Sequence, residues 1–435
     1  MVSRRRRVAG AAAFLLLMSG AGLGFSNYRA ADEVKPRSPF RKIVAAVDAP
    51  ASAREKRLID YARIDARLGR LMTGKDMVGL GVAIVEDGEL SFLKGYGVTT
   101  AGTTDPVTVK TVFRWASLSK GVAGTLIAEL ASEGRLSLRD PVSKYSRTLK
   151  LPGGAENRVT IADLLSHRVG LAHNAYDDRL EGGQDPRVIR ASLATLKPFC
   201  APGQCHGYQN VAFDASSEIV ESVTGKRYAD VVRQRLFAPL GMTSASLTRA
   251  GLQGSASWAR PHTGRRTLTV NDAYYRVPAA GGVNSSILDL GIWMRAQMGL
   301  AADTLPKRVV DKVHAPLVRT PQRGGRYERA LLDPQYAMGW RDYRYAGHRL
   351  VGHRGAVNGY RSLILFDPDR KSGIALLWNS NGRKPVGLPL EVFDMLYGQP
   401  RQDWMELDGP VGAKVQMTVA DRDDDERGGP SGTRR

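Results

Sequence analysis

The chain is short of cysteine, of acidic charge and of several familiar catalytic signatures, and each shortage narrows the reading. Two cysteines in 435 residues stand five apart in "PFCAPGQCHGYQN", as Cys200 and Cys205. Zinc held by these two and His206 would need a fourth ligand or a water, and no second cluster is present. A short disulfide loop in an oxidising compartment is the expectation, with free thiols as the alternative, and no metal or organic cofactor is expected. No His-Glu-x-x-His segment occurs, and no Gly-x-Ser-x-Gly elbow, which argues against an α/β-hydrolase. "GRLMTGKD" nearly spells a phosphate-binding loop, but Asp76 replaces the required hydroxyl residue and a helical pattern precedes it. Acids number 43 against 63 Lys and Arg, a net charge of +20. The bases are scattered, without a basic helix or interleaved aromatics in the body of the chain. That distribution implies an arginine-rich surface, with attraction to an anionic envelope polymer as an alternative, and no nucleic-acid partner.

What is present begins at the N-terminus. "MVSRRRRVAGAAAFLLLMSGAGLGFSN" sets four arginines before an apolar run and then small residues, the pattern of a secretory signal. Cleavage fits after Ala21, with Ala30 or Ala31 as alternatives. Left uncut, residues 8–25 are about long enough to cross a bilayer with the arginines on the cytoplasmic side. No cysteine follows the run, which argues against a lipid anchor. Residues 1–31 are therefore expected to be a signal peptide or membrane anchor and 32–50 a tether. The body would be periplasmic or secreted, or held at the inner membrane.

A helical pattern at "LIDYARIDARLGRLMTG" precedes two strand-like segments joined by Asp87-Gly88, a strong hairpin signal. Helical patterns with long loops then dominate, and "VTIADLLSHRVGL" carries a capping box at Thr160 and Asp163. "NSSILDLGIWMRAQMG" is a helix with Asn284 or Ser285 as its cap. Late segments, among them "GYRSLILFDPD" and "SGIALLWNSN", return to strand character before a final helix at "LPLEVFDMLYG". The expected fold is α/β (α+β): one mainly antiparallel sheet flanked by helices, spanning 51–400, with a helical subdomain inserted at about 150–280. Residues 401–435 read as a charged C-terminal extension, disordered at its end.

Three segments carry chemistry. In "VFRWASLSKGVAG", Ser117 and Lys120 share a face at i and i+3 where a helix begins. A serine hydroxyl needs a nearby base to become a nucleophile, and a desolvated lysine can supply it. A helix N-terminus also disfavours the ammonium and offers free N–H groups to an oxyanion. Alone, the pair reads more readily as a capping serine beside an exposed lysine. Tyr208 and Asn210, in "YQN", offer a proton relay and an orienting amide. His353, Arg354, Gly355 and Ala356 follow in a strand whose glycine permits close backbone approach.

Together, in this order, the segments resemble the serine β-lactamase and penicillin-binding protein superfamily: Ser-x-x-Lys, then Tyr-x-Asn, then His-x-Gly. The tyrosine is similar to the class C branch, which holds β-lactamases, D-alanyl-D-alanine carboxypeptidases, D-amino-acid peptidases and carboxylesterases. "LFAPLGMTSASL", "AAGGVNSSILDL" and "YAMGW" support the likeness over about residues 55–400. The resemblance implies a β-lactamase/transpeptidase-like fold and a serine hydrolase acting on a peptidoglycan stem peptide, a β-lactam or an ester. A binder of cell-wall peptides or β-lactams with little turnover is the alternative. It makes Ser117 the acylated nucleophile, Lys120 its proton-accepting partner and Tyr208 the base or shuttle. Asn210 would contact the substrate amide and His353 would hydrogen-bond beside Tyr208. The N–H groups of Ser117 and Ala356, beside Gly355, would form the oxyanion hole. The departure is His353 where β-lactamases usually carry lysine. A lysine there gives a substrate carboxylate a fixed positive partner; a histidine of ordinary pKa, about 6.5, is only partly charged at neutral pH.

Overall fold

The computed structural model describes residues 57–322 and 324–409. The expected signal or anchor segment, the tether and the end of the C-terminal extension lie outside the described residues. Asp87 and Gly88, both at positive φ (50° and 80°), close a tight hairpin between β1 (Gly79–Glu86) and β2 (Glu89–Gly97). These strands join β7 (Val318–Arg319), β8 (Leu332–Tyr336), β9 (Arg341–Tyr345), β10 (His348–Val357), β11 (Tyr360–Asp367) and β12 (Ser372–Trp378). The resulting eight-stranded sheet runs β2-β1-β12-β11-β10-β9-β8-β7, antiparallel throughout. Two ribbons are separate: β3 (Val112–Arg114) with β6 (Asn284–Ser286), and β4 (His262–Thr263) with β5 (Arg266–Thr267).

Every residue of β1, β11 and β12 is buried, because helices cover both faces of the sheet. That is why these strands read as unbroken apolar runs rather than as alternation. Ala83, Ile364, Phe366, Ala375 and Leu377 face one core, together with the helices Ser119–Ser132 and Ile287–Gln297. Leu80, Val82, Ile84, Leu363, Leu365 and Leu376 face the other, against the helices Tyr61–Leu71 and Leu388–Leu396.

Between β2 and β7 the chain leaves one edge of the sheet and returns at the opposite edge. This excursion is longer than the 150–280 block expected, and its helices share one core with the sheet. The reason is the Ser119–Ser132 helix, which begins the excursion yet packs beneath the sheet. Its Gly124 permits this: a Cβ there would lie 2.1 Å from the Met338 carbonyl oxygen. The boundary expected at 400 also moves. Met405 is fully buried, and Asp403 and Asp408 pair with Arg67 at 2.5 Å and 3.2 Å. Arg67 further holds Glu391 through Nε and through an Nη2 bond of 2.7 Å. The helix expected to be capped by Asn284 or Ser285 is capped instead by Ser286, which accepts from the Asp289 N–H, because the Asn284 side chain is bonded to Tyr275 and Ser246 and the Ser285 hydroxyl to Trp115. The Thr160–Asp163 capping box is present. Among the described residues no helix is long and apolar enough to cross a membrane.

Candidate active site

Ser117 sits in a tight turn, Ala116–Leu118, that runs straight into the Ser119–Ser132 helix. The turn is strained and braced. Ala116 has φ of 49°, a left-handed conformation costing a non-glycine residue about 1–2 kcal/mol. Against that cost, Ser119 Oγ donates to the Ala116 carbonyl (2.7 Å) and accepts from the Val283 N–H (3.0 Å). Ser362 Oγ donates to the Trp115 carbonyl at 2.5 Å, fixing the turn to β11. Backbone that is held this firmly in an unfavoured conformation presents the following hydroxyl at one place.

One helical turn on, Lys120 is fully buried. Its Nζ lies 2.6 Å from Asn210 Oδ1, 3.0 Å from the Ala280 carbonyl oxygen and 3.4 Å from Ser117 Oγ. It also stands 4.6 Å from the centroid of the Tyr208 ring, a favourable place for a desolvated cation. This set serves either protonation state. An ammonium donates three hydrogens to the three oxygens; a neutral amine donates two and turns its lone pair to the serine O–H. A proton can therefore pass between Ser117 and Lys120 with little movement of heavy atoms.

Asn210 bridges. Its Oδ1 accepts from Lys120, and its Nδ2 donates to Asp177 Oδ2 at 2.6 Å. Both ends of the amide are engaged by protein groups, which fixes its orientation in the cleft that it lines. Asp177, in the short helix Asp177–Glu181, is almost wholly buried. Burial pushes its carboxyl up to about 6, against the pull of the Asn210 N–H and the Lys120 charge.

Tyr208 is buried with its ring 4.3 Å from that of His167. Its carbonyl accepts from the Asn174 N–H at 2.7 Å. His353 has its ring centroid 6.4 Å from that of Tyr208, and its Nε2 meets Tyr336 Oη at 2.9 Å. A directed chain follows from the donors. The Gln209 N–H points at His167 Nδ1 (3.1 Å), so His167 Nε2 carries the hydrogen toward Tyr336 Oη (3.2 Å). Tyr336 then donates to His353 Nε2, and His353 Nδ1–H to the Arg354 carbonyl (2.6 Å). Burial, with His206 and Lys120 adding, holds His167 well below its usual pKa and keeps it neutral. Arg354 pairs with Glu328 at 2.9 Å instead of facing the cleft.

Gly355 brings β10 against the serine turn. A Cβ there would lie 2.2 Å from the Trp115 carbonyl oxygen and 3.0 Å from the Ser117 nitrogen. Ser117, Tyr208, Asn210 and Ala356 line one cleft of about 470 Å³, solvent included, together with Asp177, Glu181 and Tyr274. Cys200 and Cys205 form a disulfide just before this wall, so their sulfurs are committed to each other. Among the described residues no group of three or more His, Cys, Asp or Glu is disposed to hold a metal ion.

The family model for beta-lactamase matches residues 64–396. The chain belongs to the beta-lactamase family. Penicillin-binding protein 4 of Amycolatopsis lactamdurans is 28% identical over 355 residues, covering 78% of this chain and 90% of that protein. Unguisins hydrolase ungD of Aspergillus violaceofuscus (strain CBS 115571) is 24% identical over 366 residues, 75% of this chain. The chain spans 64% of that relative's length and 58% of its Aspergillus campestris counterpart's. An octameric penicillin-binding protein homologue from Pyrococcus abyssi superimposes with a TM-score of 0.70 at 25% identity, over 78% of each chain. The fold is that of the β-lactamase and penicillin-binding superfamily.

Four features of this site were beyond sequence reasoning: Asp177, the Ala280 carbonyl, and the pair His167 and Tyr336. A backbone oxygen carries no residue signature, and a histidine just past a short capped helix is as easily explained by packing. Asp177 stood in a stretch of acids, "NAYDDRLEGG", where nothing marks one carboxylate as the buried one.

Proposed function

We propose that the chain is an exported serine hydrolase cleaving an amide or ester through an acyl-serine intermediate. The observation that carries this reading is Ser117 Oγ lying 3.4 Å from the buried Lys120 Nζ in a cleft also lined by Tyr208. Ser117 Oγ bonds to the substrate carbonyl carbon as its proton passes to Lys120 or Tyr208. The carbonyl oxygen, now an anion, is held by the N–H groups of Ser117 and Ala356. The proton then returns to the departing amine or alkoxide, and water releases the acyl group by the same route reversed. Peptidoglycan stem peptides, D-amino-acid peptides, β-lactams and small esters are the substrate classes, and no cofactor takes part. The arginine-led N-terminus and the disulfide support a periplasmic or secreted location.

Intact mass spectrometry tests the reading with a fluorophosphonate, a penicillin and a short acyl ester. We expect adducts on the wild type and none on Ser117→Ala; a Ser117→Ala protein that still labels refutes the assignment. Lys120→Ala should slow acylation by about 10²- to 10⁴-fold. A β-lactam adduct that persists while esters also stall would instead favour a binding protein with little turnover, the reading nearest to the name of the Amycolatopsis relative.

A further inference from the structure

The cleft has an acidic end in a strongly basic chain. Asp177 and Glu181 both line it, at i and i+4 on one helix face, where like charges repel. Glu181 Oε1 accepts from Tyr274 Oη at 2.9 Å, and Asp177 Oδ2 from Asn210. Asp177 Oδ1, buried, has no donor. A buried carboxylate oxygen without a donor is costly unless something else supplies one. No arginine or lysine lines the cleft beside them. Lys120 lies beneath, already shared among Asn210, Ala280 and Ser117. His353 is bonded to Tyr336, and Arg354 is paired with Glu328. Among the described residues lining the cleft the charged side chains are acidic, so groups that would receive a cation are in place, with the Tyr274 ring among them.

We propose that the Asp177–Glu181 end of the cleft binds a protonated amine, so that the preferred amide or ester carries a cationic group rather than a carboxylate. This rests on the serine hydrolase reading and names its substrate class.

The test compares kcat/KM of the full-length protein on matched probes. One arm places the charge on the acyl group: D-alanyl p-nitroanilide against its N-acetyl derivative. The other places it on the leaving group: S-(2-dimethylaminoethyl) thioacetate, protonated at neutral pH, against the uncharged S-(3-methylbutyl) thioacetate. We expect the cationic member to be favoured about tenfold in at least one arm, which also identifies the side it occupies. Asp177→Asn and Glu181→Gln should each reduce that ratio by about fivefold. Glu181 is partly exposed, so its variant keeps the test available if Asp177→Asn does not fold. Ratios near one in both arms, or a preference for a carboxylate-bearing probe, overturn the proposal while fluorophosphonate labelling of Ser117 stands. Failure of that labelling removes the hydrolase reading itself.

Discussion

The three segments that point to chemistry in the sequence converge because single residues allow close approach where a larger or freer one would not. Gly355 is the sharpest case. Its missing Cβ leaves room for the Trp115 carbonyl and Ser362 Oγ, which it would meet at 2.2 and 2.3 Å. Gly355→Ala must push β10 from the serine turn and separate the two N–H groups assigned to the oxyanion. We expect a folded protein whose fluorophosphonate labelling is slowed about 10²-fold, read from the labelling rate beside the circular dichroism spectrum. Labelling at the wild-type rate would remove the Ala356 N–H from the mechanism. At this scale Ser117, Lys120, Tyr208 and Gly355 were legible because each belongs to a short local pattern. Asp177 and Ala280 were not, because their roles exist only once segments about 30 and 160 residues away have folded onto them.

At the scale of elements, hydrophobic patterning located the hairpin, the long strands and most helices, since both faces of the sheet are covered and the strand signal is strong. The stretch just past residue 400 carries the opposite signal. Residues 401–409 are polar, and what holds them is charge: Arg67 on the Tyr61–Leu71 helix, almost fully buried, faces Glu391, Asp403 and Asp408. Removing one member of a buried ion set leaves the others without compensation. Arg67→Ala should therefore cost about 3–5 kcal/mol, measured as a shift in urea midpoint, while Ser117 labelling at low denaturant is unchanged. A loss under about 1 kcal/mol would mean the set contributes no more than an exposed pair.

For the whole molecule, buried groups of opposite kind balance across mildly acidic pH. Burial pushes Asp177 up to about 6 and Asp214 up to about 7, and brings His314 down to about 3 and His167 well below its usual value. The two acids take up protons in the folded state before the unfolded chain does, so their contribution to stability grows as pH falls from about 6–7 toward 4. The two histidines refuse protons that the unfolded chain accepts, so their contribution shrinks as pH falls below about 6.5. The two kinds of group pull in opposite directions, each group by up to about 1.4 kcal/mol per pH unit. Single substitutions should unmask them in melting temperatures taken from pH 7 to 4. Asp177→Asn is expected to lose stability relative to wild type on acidification, and His314→Leu to gain it. Parallel curves for all three proteins would disprove the balance.

Because the first and last described helices both lie against the sheet face opposite the Ser119–Ser132 helix, the described body has two unlike sides. Changes made in those two outer helices reach the serine only across the whole thickness of the sheet, so that side is the one on which stability can be altered with least disturbance to the chemistry.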